Sequence, residues 1–298
     1  MRRLTVRSVR RYVSAAGGAA VAAAALATGC SPSALPKAVS TAPVLAVVTG
    51  LWPLAQMAAG IGGTRVAVAD PVPAGSDPFT FQPGAAATGR LHAAGLVIIV
   101  GGLQPRLDAA ARGAPRVLDA GAAVPGADRY VWLDPATMLG VVTVIARAME
   151  AADPPAAPLF RRNTEGLLAE IRSLGFDYSS TLATCPGRDI VTADDAFESM
   201  AADYGLTDHV VGPTADPATT AALASALRAR SAVGVLEERW IPGGAVRAVA
   251  TALGRRVHQV ETLAAPPVGG TAQEDTYPAR MEQLLGQLSG ALGCATGQ

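Results

Sequence analysis

Residues 154–185 read PPAAPLFRRNTEGLLAEIRSLGFDYSSTLATC. Phe160, Leu167, Leu168, Ile171 and Leu174 keep helical spacing over many turns, so the stretch predicts one helix too long for an ordinary crossover between neighbouring strands. What lies on each side of it decides the fold. Towards the N-terminus come a buried-strand run, VLAVVTG (44–50), and a helix with a glycine stop, LWPLAQMAAGIGG (51–63). A second strand, TRVAVADPV (64–72), follows. A short helix in GRLHAAG (89–95) then leads into the strongly apolar strand LVIIV (96–100), and PRVLDAG (115–121) is a further strand. DPATMLGVVTVIARAMEAAD (134–153) is a helix with Asp134 at the N-cap and Pro135 at the first helical position. Towards the C-terminus the alternation resumes. The strands are DIVTAD (189–194), HVVG (209–212), AVGVLEE (232–238) and RVHQVET (256–262). Helices stand between them at 196–205, 217–230 and 243–254, and a last one at 276–293. Apolar strands separated by helices imply mostly parallel sheets covered on both faces. The expected architecture is α/β: an N-terminal lobe at 43–154, a linking helix at 155–182 and a C-terminal lobe at 183–298. Ligands in such folds sit at the carboxyl ends of the strands, here the cleft between lobes.

The first 29 residues read as a signal peptide. MRRLTVRSVRR carries five arginines and no acid, an apolar alanine-rich run follows, and LATGC (26–30) has the form of a lipobox that places Cys30 for lipidation. A twin-arginine reading of Arg10-Arg11 fits its flanks poorly. Residues 30–42, the lipidated cysteine and a Pro/Ser/Ala tether, would hold the folded part off the outer face of the bacterial cytoplasmic membrane. After Cys30 there are 19 basic and 24 acidic residues, a formal charge of −5, which excludes a broad nucleic-acid footprint. Export leaves two further cysteines, Cys185 and Cys294, which outside the cytoplasm are expected to pair. There is no GxSxG, HExxH, phosphate loop or cysteine–histidine constellation, and the expectation is that the chain is not an enzyme.

Several motifs then share one order: the lipobox, VVTGLWPLAQMAAGIGG, LVIIVGGLQPRLD, YVWLDPATM, the long central helix, IVTADDAFESMAADYGL and VGVLEERWIPGGAVRAVATALG. From about Val44 to Cys294 the chain resembles the zinc/manganese type of ABC-transporter solute-binding lipoproteins. That resemblance implies a monomer that captures a metal between two lobes and delivers it to an ABC permease. It also implies four ligand positions, three of them usually histidine or a histidine–glutamate alternative. Here Phe79 of GSDPFTFQPG (75–84) stands at the first, Tyr130 at the second, Asp194 at the third and Glu261 at the fourth.

Phe79 cannot ligate, and Tyr130 ligates only as a phenolate, against an ordinary pKa near 10. Asp194, Glu261 and a phenol make an oxygen-rich set that suits manganese or iron better than zinc; a site without metal is the other reading. Phe79 reads either as packing that covers the cleft or as a platform for a ligand. Asp194 or Asp195 reads also as a helix cap. Glu237, Arg239 and Trp240, at the end of a strand, are expected either behind the ligand positions or at the cleft mouth, with Arg239 a charge partner for Glu237 or Glu261 able to replace a cation. His92, His209 and His258 have no clamp spacing and read as structural. Two functions follow: a solute-binding importer component with a changed site, or a non-transporting envelope scaffold or interaction lipoprotein.

Overall fold

The computed structural model describes residues 44–230, 232–269 and 275–294. The signal peptide, Cys30 and the tether fall outside the described residues.

The long helix of the opening stretch is α5 (Ala157–Ala183), and its buried side includes Phe160, Ile171 and Leu174 as the spacing predicts, extended by Tyr178 and Leu182. Each such side chain contributes about 1.5–3 kcal/mol by leaving water. Before α5 the chain forms β1 (Leu45–Thr49), α1 (Trp52–Gly62), β2 (Val66–Ala69), α2 (Ala85–Ala93), β3 (Leu96–Ile99), α3 (Pro105–Ala111), β4 (Val117–Asp119) and α4 (Pro135–Ala152). After it come β5 (Asp189–Thr192), α6 (Glu198–Asp203), β6 (Thr207–Val210), α7 (Pro217–Leu227), β7 (Val233–Glu238), α8 (Gly244–Leu253), β8 (Val257–Val260) and α9 (Tyr277–Leu292). The two halves repeat one topology. The first sheet is ordered β2-β1-β3-β4 and the second β6-β5-β7-β8, with every pairing parallel. The helix α3 was not anticipated; its signal is Pro105 at the first turn, directly after Gln104.

Strand alternation sorts the core. Val47, Ile98, Ile190 and Leu236 face one central cluster that runs through both lobes and takes in α4, α5 and α9. Their neighbours Val48, Val97 and Ile99 face a separate cluster with α2 and α3, and Val191 and Val235 face another with α7 and α8. A shared core makes α5 a rigid spine. It packs on α1, α4 and α9, with Asn163 Nδ2 donating to the Ile61 carbonyl (3.0 Å) and Tyr178 Oη to the Met281 carbonyl (2.7 Å). The glycine stop of α1 has a steric cause: Gly63 has φ 52°, and a Cβ on Gly62 would stand 2.0 Å from Val66 Cγ2. As expected, Asp134 caps α4, accepting from the Ala136 and Thr137 amides (3.2 and 2.6 Å).

Cys185 and Cys294 form the expected disulfide, joining the end of α5 to the end of α9 across 109 residues of sequence. In the chain-entropy account that closure stabilises by about 4–5 kcal/mol.

Candidate functional site

The loop carrying Phe79 is built by its own turn chemistry. Asp77 accepts from the Phe79 amide (2.9 Å) and the Thr80 hydroxyl (2.7 Å). Buried Gln104 donates to the Pro78 carbonyl (2.9 Å) and to Gly50 (2.8 Å). The frame fixes two rings on different cores: Phe79 packs on the central cluster and Phe81 on the α2–α3 side. Phe79 meets the Tyr130 ring edge-on at 6.1 Å, and Tyr130 meets Trp132 edge-on at 5.6 Å. This is the packing reading of Phe79.

Tyr130 is buried, and its hydroxyl donates to Asp194 Oδ2 at 2.7 Å. Burial first, then this bond to Asp194, pushes the phenol well above its usual pKa. A phenol that donates to a carboxylate holds its proton; it does not ligate a cation. Asp194 Oδ1 also accepts from the Ala196 amide (3.0 Å), so this residue both ties the strand-to-helix turn and faces the interface. Asp195 pairs with Arg129 (2.5 Å), whose guanidinium also lies 5.4 Å from the Tyr130 ring centre. Further bonds stitch the same seam: Trp132 Nε1 to the Thr262 carbonyl (2.6 Å), Tyr277 Oη to the Trp132 carbonyl (2.8 Å) and the Trp52 amide to the Ala264 carbonyl (3.1 Å).

Behind Asp194 stand two further carboxyls, Glu238, of the Glu237-Glu238 pair that ends a strand, and Asp208, which the sequence did not single out. Glu238 is 3% exposed, at the end of β7. Burial, then the charge of Asp194 and a hydrogen bond to it, raise the Glu238 pKa to about 9. Asp208 on β6 is raised to about 7, first by burial, although Thr192 Oγ1 donates to it at 2.7 Å. Glu238 Oε1 and Asp208 Oδ2 are buried without hydrogen-bond partners. Parity was the available signal: Glu238 shares the sheet face of Leu236, which looks into the central core.

By the same parity Glu237 faces α8, pairing with Arg247 and accepting from Gln259 Nε2 (2.8 Å). Arg239 and Trp240 lie beyond the strand end, the guanidinium 5.0 Å from the Trp240 ring centre. Glu261 lies just past β8, paired with Arg239 at 3.2 Å, and its side chain is 56% exposed. That is the charge pairing anticipated for Arg239, with Glu261 as its partner. Glu261 lines a cavity with Trp52 and Arg280, whereas the cavity beside Tyr130 is lined by Arg129, Asp195 and Glu198. His92 contacts the Ala110 carbonyl (3.1 Å) and His209 pairs with Asp189 (2.8 Å); His258, on β8, has its pKa lowered by burial and by Arg256.

The donor set fits zinc poorly. Phe79, Tyr130, Asp194 and Glu261, at the positions the resemblance implies, include no imidazole or thiolate, and zinc prefers both. Among the described residues, no three His, Cys, Asp or Glu side chains are placed to hold one metal ion.

Comparison with known proteins places this geometry in context. The Zn(II)-bound ZnuA-like domain of Streptococcus pneumoniae AdcA superposes with a TM-score of 0.68 at 21% identity, over 84% of this chain and 99% of that one. The periplasmic zinc binding protein TroA from Treponema pallidum gives 0.73 at 19% identity, over 84% and 99%. At these identities the likeness is one of fold. The zinc-binding protein AdcA of Streptococcus pyogenes serotype M1 is 33% identical over 93 residues, 30% of this chain and 18% of that protein. The chain therefore aligns with less than a fifth of the length of that relative. A putative metal-binding protein of T. pallidum is 27% identical over 210 residues, 61% of this chain and 66% of the relative. The profile of the family described as zinc-uptake complex component A, periplasmic (ZnuA), matches residues 47–291. With that profile running from β1 to α9, the chain belongs to the ZnuA family.

Proposed function

We propose that this chain is an exported solute-binding component of an ABC importer, held by lipidated Cys30 at the outer face of the cytoplasmic membrane and delivering to a permease as a monomer. We infer further that its interlobe site no longer captures zinc. The observation that carries this is the 2.7 Å bond from Tyr130 to Asp194, which satisfies one ligand position with another. Phe79 packs on Tyr130, and Glu261 pairs with Arg239, so all four positions have partners within the chain. Side chains that satisfy one another need no cation to offset their burial. The shared core through α5 limits hinge motion, so capture would proceed by local loop rearrangement. No catalytic step belongs to this reading.

A second reading has its own support. The unpartnered Glu238 Oε1 and Asp208 Oδ2 stand near Asp194 and are hard oxygen donors of the kind that suit manganese or iron, although the three carboxyls are not placed to hold one ion without rearrangement. The test is calorimetric titration of the full lipoprotein in detergent with zinc, manganese and iron, after its metal content as isolated has been measured. The zinc claim expects no stoichiometric zinc binding. Manganese or iron binding lost in both Asp194→Ala and Glu238→Gln supports the second reading. Absence of any ion and any delivered solute would move the chain to the envelope scaffold role.

A further inference from the structure

Charge in the N-terminal lobe is sorted by direction. The seam joins segments that lie past the carboxyl ends of strands, Trp52 after β1, Asp194 after β5 and Ala264 after β8, so the amino ends of the parallel strands point away from it. Between residues 44 and 127 the acids are Asp70, Asp77, Asp108 and Asp119. Each lies at a strand's carboxyl end, in the loop after it or in the first turn of a helix, on the side of the seam. Three exposed arginines stand at the opposite end: Arg90 in the last turn of α2, Arg112 directly after α3 and Arg116 directly before β4. His92 holds the ends of α2 and α3 together, its Nε2 in contact with the Ala110 carbonyl at 3.1 Å. Among the described residues none of the three arginines is in a salt bridge; Arg112 senses Asp108 one turn earlier without pairing with it. The acids that α4 brings to this end are already taken, Asp153 by Arg65 (2.6 Å) and Glu150 by Arg161 (2.8 Å). Two exposed apolar side chains share the face: Val44 (48%), just before β1, and Val117 (43%), at the start of β4. A helix dipole accounts for arginine at the ends of α2 and α3, but not for Arg116 or the exposed valines.

We propose that this end of the N-terminal lobe is a membrane-facing surface that docks on anionic phospholipid headgroups. The inference rests on the reading of Cys30 as lipidated. The chain leaves the fold for Cys30 from Val44, on this very face, and only residues 31–43 separate the two. Fully extended, that stretch reaches roughly 45–50 Å. From residue 44 on the chain has no lysine, so each of these charges is a guanidinium able to hold a phosphate through paired N–H donors. The two valines enter the interfacial layer beside them. Near an anionic surface each arginine favours the docked state about fivefold, roughly a hundredfold for three. With −5 after Cys30, the exported chain as a whole is repelled by such a surface, and only a local basic face docks. The far end of the C-terminal lobe also carries exposed arginines, Arg228 after α7 and Arg256 before β8. It lies the length of α5 away, about 40 Å, and the chain does not leave for Cys30 from there. Docked through Arg90, Arg112 and Arg116, the N-terminal lobe stands on the lipid and the interlobe seam stays clear of it.

The test inserts the full lipoprotein, through its own lipid, into nanodiscs of phosphatidylcholine alone or of an equimolar mixture with phosphatidylglycerol. Mass spectrometry first establishes lipid on Cys30. A mature chain without it overturns the anchoring and this inference together, whereas with lipid present every outcome below bears on this inference alone. A fluorophore is placed on Ala93→Cys, at the end of α2, or on Ala229→Cys, at the far end of the C-terminal lobe, and energy transfer to labelled headgroups is measured. Cys185 and Cys294 are bonded to each other, so the added thiol takes the label. The expected result is stronger transfer at position 93 in anionic than in neutral nanodiscs, with no such gain at position 229. High salt should return the signal to the neutral-nanodisc value. The combined Arg90→Gln/Arg112→Gln/Arg116→Gln variant should do the same, and Arg228→Gln/Arg256→Gln should not. Salt tests the claim without any substitution, so it stands even if the combined variant does not fold. Equal transfer at position 93 on both nanodiscs, a gain that survives high salt, or a gain lost only in the Arg228/Arg256 variant would overturn the proposal.

Discussion

The two lobes have the same strand order but bring opposite chemistry to their common face. The N-terminal lobe offers rings, Phe79, Tyr130 and Trp132, packed edge-to-face. The C-terminal lobe offers acids, Asp194, Asp208 and Glu238, on or just beyond β5, β6 and β7. A metal site between lobes needs donors from both. Here the three rings offer none for a cation, and the Tyr130 hydroxyl is itself a donor to the other side. Equal scaffolds therefore do not imply equal sites: the fold follows from periodicity and packing, and the chemistry from four or five side chains at strand ends.

The largest way to break this contrast is to remove the ring stack. Trp132 is fully buried and anchors the seam through Thr262, so Trp132→Ala should cost about 3–5 kcal/mol in denaturant unfolding. A loss below about 1 kcal/mol would mean the seam is not held by the rings.

The acidic side is probed by pH. Glu238 is raised to about 9 in the folded chain, so folding favours its neutral form. Its contribution is fully present below the unfolded-state pKa and is lost as pH rises towards about 9, a destabilisation on the order of a few kcal/mol. Glu238→Gln stays neutral and should flatten that decline. Unfolding curves of both proteins at about pH 5, 7 and 9 check it, and parallel slopes would count against a buried, protonated Glu238.

Tyr130→Phe keeps the ring and removes the donor across the seam. Asp194 Oδ2 is left without that partner, and the expected loss is about 1–3 kcal/mol, visible as a lowered midpoint at unchanged slope. A neutral result would show that water replaces the phenol freely.

Arg239→Gln is the smallest test. Its pair with Glu261 is half exposed, so stability should change by less than about 1 kcal/mol, less still in high salt. A larger change would place Glu261 in the seam itself.

Much of the fold was legible in the sequence. The spacing of Phe160, Ile171 and Leu174 identified α5, apolar runs marked the strands, and Asp134-Pro135 marked the start of α4. The site was legible less evenly. Phe79, Tyr130 and Asp194 stand together. Glu237 and Glu238 are adjacent, and only strand parity tells which faces the core; Leu236 supplied that clue. The Tyr130–Asp194 bond joins residues 64 apart in sequence, and no local pattern encodes such a contact.

The central claim is that the rings have closed the interlobe site to zinc. It is tested most directly by titrating zinc into the wild-type lipoprotein and the Phe79→His/Tyr130→His variant side by side. The account predicts no stoichiometric binding to the wild type and one-to-one binding once the N-terminal lobe regains two imidazoles. One-to-one zinc binding by the wild type, abolished by Asp194→Ala, would contradict it.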